Sequence, residues 1–294
     1  MKTAPIVIFT YNRPEHLRRT VEALKKNHLA SQSELIIFSD GPRDSGDAPL
    51  VAKVHKIITR ITGFHRVRVS IRSKNRGLSA SIISGMNYVF RHYSKAIVLE
   101  DDLLTSQDFL DFMNRGLAMY ENDKRIFSLT GYTPPIDLSY YDKDIFLIPR
   151  PGSWGWATWR DRWHKVDWKV KDFDMFIRSK AQRQAFNKGG LDSSVMLRDE
   201  IRRGIESWDV RFYYSCFKNK GLCIYPAKSK VSSTGTDGTG VHMGRTRKYD
   251  THVHEHYCIL PQDIAPDDRV MDDFAAFYRP SLLRRGINFL KLNT

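Results

Sequence analysis

An α/β fold, with a mostly parallel sheet flanked by helices, is predicted from three features of the sequence. Short apolar runs alternate with amphipathic stretches through the first hundred residues, which is the pattern of strand–helix–strand units. The chain has 294 residues, 41% of them hydrophobic and 12% aromatic, so it can bury a large core. Polar residues directly follow several apolar runs, at the edge where open α/β sheets bind ligands.

The first half of the chain contains apolar runs of strand length separated by stretches of helical period. Pro14 suits the first turn of a helix, because the N–H that proline lacks would have no partner there. The predicted order is strand 4–10, helix 14–26, strand 34–40, helix 50–62, strand 67–72, helix 77–91 and strand 96–99.

The second half is less regular. We expect helices at 107–120, 191–203 and 208–218, strands at 126–130 and 222–225, and a polar loop at 137–144. Residues 232–244 are rich in Gly, Ser and Thr, which is typical of a mobile loop. Trp159 and Trp163 are four residues apart on an expected helix, a spacing that favours core positions.

The net charge of +14 and the sequence pI of about 9.7 indicate anionic partners. Nucleic acid is not expected among them, since no RNP, zinc-finger or basic-zipper pattern is present. No apolar run approaches the roughly 18 residues of a membrane-spanning helix, and the first residues do not form a secretory signal. The three cysteines give no disulfide framework, so we expect a cytoplasmic protein.

Three consecutive carboxylates, Glu100-Asp101-Asp102, come directly after the predicted strand 96–99. Their mutual repulsion is unfavourable unless a cation or basic side chains lie opposite. Mg²⁺ or Mn²⁺ would relieve it, because these ions prefer oxygen ligands and bind one or two carboxylates together with substrate phosphates. The alternative is an acidic cap at the start of a helix.

Two other predicted strands also end in polar residues, one at Thr10 with Arg13 shortly after it and one at Asp40. Because the carboxyl ends of parallel strands meet at one edge of a sheet, these residues should converge with the acidic triplet. An Asp suits a base N–H, and an Arg suits a phosphate or a base edge. For Arg13 and Arg76 the alternative is a surface salt bridge.

Four sequence blocks carry a resemblance to known glycosyltransferases. TYNRPEHLRRTVEAL is similar to the opening of bacterial family-two glycosyltransferases. AIVLEDDLLTSQDFLDFM, PGSWGWATW and SWDVRFYYSCFKNKGLCIYP with the later GTGVHMG resemble, in this order, segments of the N-acetylglucosaminyltransferase that initiates complex N-glycans. The resemblance implies a GT-A fold, an inverting mechanism and a nucleotide-sugar donor, with UDP favoured.

The resemblance also implies roles for single residues. Asp102 would be the metal ligand, for Mn²⁺ or Mg²⁺, and its two acidic neighbours would face the ribose and sugar of the donor. Asp40 is similar to the carboxylate that accepts from the nucleobase, and Arg13 to an arginine near the nucleotide. The residues expected to bind the donor are Thr10, Arg13, Asp40, Arg76, Glu100, Asp101, Trp154, Gly155, Trp208 and His242.

Asp209 is expected to be the general base, which an inverting transfer needs to take the proton of the acceptor hydroxyl. Trp208 could pack on a sugar ring. Glu206 is the rival base, and either carboxylate could instead lie in the first turn of the following helix. The related enzyme has an Asp where Val210 stands here, so acceptor contacts are expected to differ.

The remaining candidates lie in aromatic and histidine-rich stretches. Trp154 and Trp156 flank Gly155 and are expected to line the sugar pocket together with it, because a glycine lets the backbone approach a ligand. His242 is expected to reach the pyrophosphate or the metal. His252, His254 and His256 alternate along an expected strand and form a conceivable metal site, although no further ligand is recognisable nearby.

We expect a catalytic domain at residues 1–245, with a nucleotide-binding half at 1–103 and an acceptor half at 104–245, and a C-terminal extension at 246–294. The basic and apolar stretch 281–292 could contact an anionic membrane peripherally or pack on the catalytic domain. The expected function is sugar transfer to a glycan or lipid-linked glycan in surface polysaccharide synthesis. The alternatives are a sugar-phosphate nucleotidyltransferase, which typically has a Gly-rich loop after its first strand, and a module that binds anionic polymers.

Overall fold

The computed structural model describes residues 3–205, 207–240 and 244–293. Its strands are β1 (Ile6–Thr10), β2 (Glu34–Ser39), β3 (Arg66–Ile71), β4 (Lys95–Glu100), β5 (Leu103–Thr105), β6 (Ile126–Thr130), β7 (Ile145–Ile148), β8 (Trp156–Trp159), β9 (Leu222–Pro226) and β10 (Val231–Ser233). A large sheet has the order β3-β2-β1-β4-β8-β6-β9-β7, and β5 pairs with β10 in a separate small sheet. In the described chain, β8 and β7 run opposite to the other six strands of the large sheet.

Helices cover both faces of the large sheet. They are α1 (Pro14–Lys25), α2 (Ala48–Ile58), α3 (Leu78–His92), α4 (Phe109–Met119), α5 (Arg160–Trp163), α6 (Phe173–Arg178), α7 (Lys180–Phe186), α8 (Ser193–Arg203), α9 (Trp208–Lys218), α10 (Asp268–Phe277) and α11 (Leu282–Asn293). From β1 to β4 strands and helices alternate, as in parallel α/β folds.

Two cores lie on the two faces of the sheet. Successive residues of a strand point to opposite faces, and β2 shows the division. Leu35 and Ile37 pack with α1, α2 and α4, while Ile36 and Phe38 pack with α3, α9 and α10. A smaller third core lies between α6, α7, α8 and α9.

The predicted α/β architecture is confirmed, and the elements up to β4 lie within a few residues of their predicted bounds. Trp159 is an exception, because it ends β8 instead of lying in a helix, although both it and Trp163 are buried. The loop expected at 232–244 also contains ordered structure: β10 pairs with β5, and residues 235–237 form a 3-10 turn.

The segment after residue 244 packs against both faces of the sheet. Cys258 and Leu260 join the core around α1, and Val270 and Phe274 of α10 join the core around α3. The segment therefore shares the hydrophobic cores of the preceding residues.

Lys230 binds this segment through its ammonium group. Its ammonium group is fully buried and binds Asp108 at 2.5 Å. It also donates to the carbonyl of His254 at 3.2 Å and, in a short hydrogen bond, to that of His256. Buried charges need such partners, because desolvating an unpaired ammonium is very unfavourable.

The final helix, α11, lies partly on the rest of the protein. Lys291 binds Asp199 of α8 at 2.5 Å, and Leu292 packs on the third core. At its other end Leu282 and Leu283 are exposed by 81% and 80%. Among the described residues, no helix is both long enough and apolar enough to span a bilayer.

Candidate active site

Three strands of the parallel half end side by side at one edge of the sheet. β1 lies between β2 and β4, with Thr10 paired to Ser39 and Phe9 paired to Glu100. The residues that follow these strands, including Asp40 and the acidic triplet, are therefore neighbours in space.

Asp101 points into the protein. It is 3% exposed, and its Oδ2 accepts hydrogen bonds from the Thr10 hydroxyl at 2.8 Å and the Tyr11 N–H at 3.3 Å. Its Oδ1 binds the Arg13 guanidinium at 2.6 Å. The expectation that Asp101 and Thr10 face the donor is therefore corrected. A carboxylate buried this deeply needs protein partners, and these two side chains satisfy each other.

Arg13 bridges two carboxylates of the triplet. Besides Asp101 it binds Asp102, with Nη1 3.0 Å from Oδ2, and its side chain is 19% exposed. Burial lowers its pKa, but the charges of Asp101, Asp102 and Glu100 more than offset this and raise it. These two contacts use only part of the five N–H donors of a guanidinium, so the expected contact of Arg13 with the nucleotide stays a prediction.

The loop after β10 covers Asp102. The Thr234 N–H donates to the Asp102 carbonyl at 2.8 Å. A Cβ atom on Gly235 would lie 1.8 Å from Asp102 Oδ2, so a side chain does not fit there. His16 holds the loop, with Nδ1 2.8 Å from Thr234 Oγ1 and Nε2 3.2 Å from Asp237. Sequence analysis did not single out His16 or Gly235, and their separation along the chain gives no local signal.

Glu100 carries an uncompensated charge when it is ionised. Burial raises the pKa of its carboxyl to about 8, and the charges of Asp102, Asp101 and Asp209 add to the effect against that of Arg13. Burial raises the pKa of Asp102 as well. In the described part of the chain the Glu100 carboxylate has no hydrogen bond or ion pair.

A hard divalent cation fits this charge balance, because three carboxylates share one guanidinium. Asp102 would hold it, since within the described residues its Oδ1 has no partner. No described group of three or more His, Cys, Asp and Glu side chains is arranged around one metal position. A cation here would therefore take most of its ligands from donor phosphates and water, as Mg²⁺ commonly does.

Asp40 offers an unused acceptor. Its Oδ2 accepts from the N–H groups of Arg76 at 2.9 Å and Gly77 at 3.1 Å, and from the Ser81 hydroxyl at 3.2 Å. Its Oδ1 is buried and has no hydrogen-bond partner among the described residues, with Arg72 Nη1 at 3.8 Å. An unsatisfied carboxylate oxygen is unfavourable, so a ligand N–H would be favoured here.

Two further charged residues lie in the loops around this edge of the sheet. The Arg76 side chain is exposed and, among the described residues, forms no ion pair. Asp47 joins the loops after β1 and β2, accepting a short hydrogen bond from the Tyr11 hydroxyl and one from the Asn12 amide at 2.9 Å. Sequence analysis missed Asp47 because it lies in a loop with no motif around it.

Asp209 lies in the first turn of α9, near the triplet. Its charge contributes, after burial, to the raised pKa values of Glu100 and Tyr278. Ser207 donates a short hydrogen bond to its Oδ1. Val210 is buried in the third core, and the rival base Glu206 lies outside the described residues.

Trp208 belongs to a core of stacked tryptophans. It is 4% exposed and stacks on Trp156 with ring centroids 5.0 Å apart, and Trp156 stacks on Trp163 at 6.0 Å. The expected packing of Trp208 on a sugar and the expected place of Trp156 in the sugar pocket are corrected, because almost none of the surface of either ring is accessible.

Trp154 and Gly155 have different surroundings. Trp154 is half-buried, so part of its ring is accessible. Its ring makes edge contacts with Tyr132 and Tyr249, with ring centroids 4.5 Å and 5.9 Å apart. Gly155 has φ of +60°, and a Cβ there would lie 2.8 Å from the Val231 side chain. The interpretation of Gly155 as a ligand contact is corrected: packing within the chain requires the glycine.

A cluster around Arg150 adjoins the candidate base. Arg150 Nη1 is 2.7 Å from Asp192, and its guanidinium lies 4.0 Å from the ring of Tyr278 and 6.0 Å from that of Tyr213. Tyr213 follows Asp209 by one turn of α9, so the two share a helix face. Sequence analysis missed this cluster, because its members come from four separate segments.

The histidine candidates stand apart from this cluster. His242 lies outside the described residues. His252, His254 and His256 lie in a stretch without assigned strand structure, and His256 Nε2 is 2.7 Å from Asp144. They belong to no metal-holding group of the described chain, so the structure gives no support to the conceivable site at these three histidines.

The chain is similar in sequence to known glycosyltransferases. Residues 6–123 match the sequence model of the family described as Glycosyl transferase family 2. The chain is also 23% identical, over 199 residues, to the alpha-1,3-mannosyl-glycoprotein 2-beta-N-acetylglucosaminyltransferase of Arabidopsis thaliana. That alignment covers 61% of this chain and 43% of the relative, so the chain spans less than half of that enzyme.

Two solved structures are similar at low sequence identity. S. aureus TarS is 12% identical with a TM-score of 0.44, over 80% of this chain and 37% of TarS. The mannosyltransferase PcManGT from Pyrobaculum calidifontis, in complex with GDP-Man and Mn²⁺, is 10% identical with a TM-score of 0.42, over 74% of each chain. Residues 6–123 are thus similar in sequence to glycosyl transferase family 2, in agreement with the predicted family resemblance.

Proposed function

We propose that this protein transfers a sugar from a nucleoside-diphosphate sugar, with UDP favoured, to a hydroxyl of a glycan or lipid-linked glycan. The observation that carries the proposal is the meeting of Asp40, Glu100 and Asp102 at one sheet edge, with Asp209 within electrostatic reach. This edge lies in the segment that matches the family-two model, and among the described residues Asp40 Oδ1 there has no hydrogen-bond partner.

The donor half of the site would act by binding and positioning. Asp40 Oδ1 would accept from an N–H of the base, and the exposed Arg76 guanidinium would meet the diphosphate. Mn²⁺ or Mg²⁺ held by Asp102 would neutralise charge on the departing nucleoside diphosphate. Arg13 and Asp101 fix the position of Asp102, so the site is set before the donor arrives.

The transfer itself would invert the anomeric centre. The acceptor oxygen forms a bond to the anomeric carbon while the bond from that carbon to the phosphate oxygen breaks on the opposite face. Asp209 takes the proton of the acceptor hydroxyl, and the nucleoside diphosphate leaves with the electron pair. The loop at Gly235 would limit access of water to the donor.

The acceptor half would include the open ring of Trp154 and the Arg150–Tyr278 pair. Aromatic faces and planar guanidinium groups pack well on the apolar faces of sugars. A role in surface polysaccharide synthesis rests on the resemblance to bacterial family-two enzymes. Peripheral membrane contact through α11 is part of the same proposal, since Leu282 and Leu283 are exposed there.

The nucleotidyltransferase alternative is disfavoured by the loop after β1. That class typically has a Gly-rich phosphate loop at this place, whereas here the chain reads Tyr11-Asn12-Arg13-Pro14. A module that only binds anionic polymers would not need unpaired carboxylates at a strand end.

Thermal unfolding with Mn²⁺, UDP and the two together tests donor binding. Because the described residues supply few metal ligands, we expect the pair to stabilise the protein more than the sum of the single additions. Absence of stabilisation by UDP or GDP with either Mn²⁺ or Mg²⁺ would contradict the proposal. Metal-dependent hydrolysis of a panel of nucleotide sugars would then identify the donor.

The Asp209→Asn variant tests the base. Transfer or donor hydrolysis that needs proton removal should fall about 10²–10⁴-fold, whereas stabilisation by UDP with Mn²⁺ should be unchanged. Near-normal turnover in this variant would remove Asp209 from the role of base.

A further inference from the structure

The positive charge of the protein is concentrated in one stretch. Residues 48–99 contain ten Lys and Arg and no Asp or Glu, so they supply +10 of the net +14. This stretch forms α2, the edge strand β3 and α3. The loop at 72–76 serves the candidate nucleotide site, but the other charges lie away from it.

Several of these cations face solvent without a counter-charge. Lys53, Lys56 and Arg60 on and after α2, and Arg66 at the start of β3, are exposed. None of the four forms an ion pair within the described residues. Such a patch is unfavourable by self-repulsion unless an anionic partner covers it.

A groove of about 320 Å³ lies beside this patch, between α1 and α2. Its floor is apolar and its rim is basic, with one acidic residue, Glu22, which pairs with Lys25 at 3.2 Å. Arg18 on the rim pairs with Glu15 at 2.6 Å. The floor is formed by Val21, Ile57 and Ile61, and the rim by Arg18, Glu22, Lys25, Lys56, Arg60 and Thr62.

The groove combines a basic rim with an apolar floor, and one class of ligand binds to both. Lys56 and Arg60 offer unpaired cations to a phosphate, and the floor offers apolar contact to the carbon chain next to it. A soluble polyanion would use the charges alone. We propose that the α1–α2 groove binds the headgroup and upper acyl chain of an anionic phospholipid, so that this face docks on an anionic bilayer.

Docking in this way leaves the candidate active site open. α1 begins at the catalytic edge, next to Arg13, and its groove residues run from Arg18 to Lys25, about 6 to 17 Å along the helix. None of the groove residues is assigned to the donor site. The groove is therefore distinct from the donor site, and lipid binding there does not depend on the proposed sugar transfer.

Vesicle co-sedimentation tests the proposal. The full chain should bind vesicles of phosphatidylcholine with 30% phosphatidylglycerol, in about 0.1 M NaCl, and should not bind pure phosphatidylcholine. The Lys56→Glu/Arg60→Glu variant should lose at least about tenfold in vesicle affinity. Arg178→Glu/Lys180→Glu reverses the same charge at exposed positions that form no ion pair with any described residue, and it should lose much less.

A second variant separates lipid from other anions. Ile61→Ser keeps every cation but makes the floor polar, so it should weaken vesicle binding and leave heparin binding unchanged. Ile61 packs against the core around α1, so this variant should melt at a slightly lower temperature. A cooperative unfolding transition and unchanged stabilisation by UDP with Mn²⁺ would show that both variants keep the fold and the donor site.

Several results would overturn the proposal. One is equal affinity of the wild type for both vesicle types. Another is a vesicle affinity of Lys56→Glu/Arg60→Glu within twofold of the wild-type value. The third is an unchanged vesicle affinity in Ile61→Ser. Complete competition by millimolar glycerol phosphate would assign the groove to a free phosphate. Loss of binding in Leu282→Ser/Leu283→Ser, with retention in the groove variant, would assign membrane contact to α11.

Discussion

Two neighbouring acidic residues should respond in opposite ways to the same substitution. Asp101 is buried and accepts from Thr10, Tyr11 and Arg13. Asn at this position keeps one acceptor oxygen and places an NH₂ group against a donor. Asp101→Asn should therefore unfold more easily, whereas Asp102→Asn should keep its stability and lose the metal-dependent response to UDP.

The size of the effect follows from burial. Removing one partner of a buried ion pair costs about 3–5 kcal/mol. Since Arg13 is 19% exposed and retains Asp102, we take the lower end, about 3 kcal/mol, for Asp101→Asn. A chain of this length unfolds with an entropy of about 0.6 kcal/mol/K, so the melting temperature should fall by about 5 °C.

Asp102 differs because burial raises the pKa of its carboxyl, which means that its charge destabilises the folded state. Neutralising it should leave the melting temperature within about 1 °C of wild type or slightly raise it. Thermal unfolding at pH 7.5, with and without UDP and Mn²⁺, measures both quantities. Equal melting temperatures for the two variants, or a lower one for Asp102→Asn, would refute the assignment of Asp101 to the fold and Asp102 to the cation.

Three further substitutions test other parts of the site and the fold. Gly235→Ala should weaken binding of UDP with Mn²⁺ by about tenfold or more in calorimetry, because its Cβ would lie 1.8 Å from a carboxylate oxygen; Gly244→Ala, which meets nothing within 4 Å, is the control. Asp40→Asn should weaken UDP binding about tenfold in the same assay, since its NH₂ cannot accept from a base; unchanged affinity would exclude Asp40 from base contact. For Asp108, burial raises the pKa, but the bond to Lys230 and its other hydrogen bonds lower it overall. Its stabilisation is thus present above the unfolded pKa of about 4 and is lost as pH falls through the lower folded value. Urea unfolding between pH 3 and 6 should show a smaller decline for Asp108→Asn than for wild type.

The sequence predicts the meeting of Asp40 and the acidic triplet because the controlling interactions are local. Apolar runs define the strands, and parallel packing brings their carboxyl ends to one edge. The sequence does not predict which carboxylate of the triplet faces outward, because that depends on partners far along the chain. Asp101 turns inward to meet Thr10 and Arg13, which precede it by 91 and 88 residues. No pattern around residue 101 carries that information.

Trp208 and Gly155 also show that the local sequence does not decide the role of a residue. A tryptophan beside a candidate base is compatible with a sugar platform or a core position, and Trp156, which lies far from it in sequence, decides for the core. A glycine is compatible with a ligand approaching its backbone or with packing, and the Val231 side chain decides for packing. Residue type and spacing therefore define the candidates, while tertiary partners select among their roles.

The charge distribution distinguishes a functional acidic cluster from a structural one. Asp102 is followed by the strand β5, so the alternative of an acidic helix cap does not apply. The chain has 14 more cationic than anionic groups, yet only Arg13 forms ion pairs with the triplet among the described residues. Glu100 is left with a raised pKa and without a partner, at a cost in stability that a second basic side chain would remove. A site that keeps this unfavourable charge, in a chain so rich in cations, is best explained by a cation that binds with the donor.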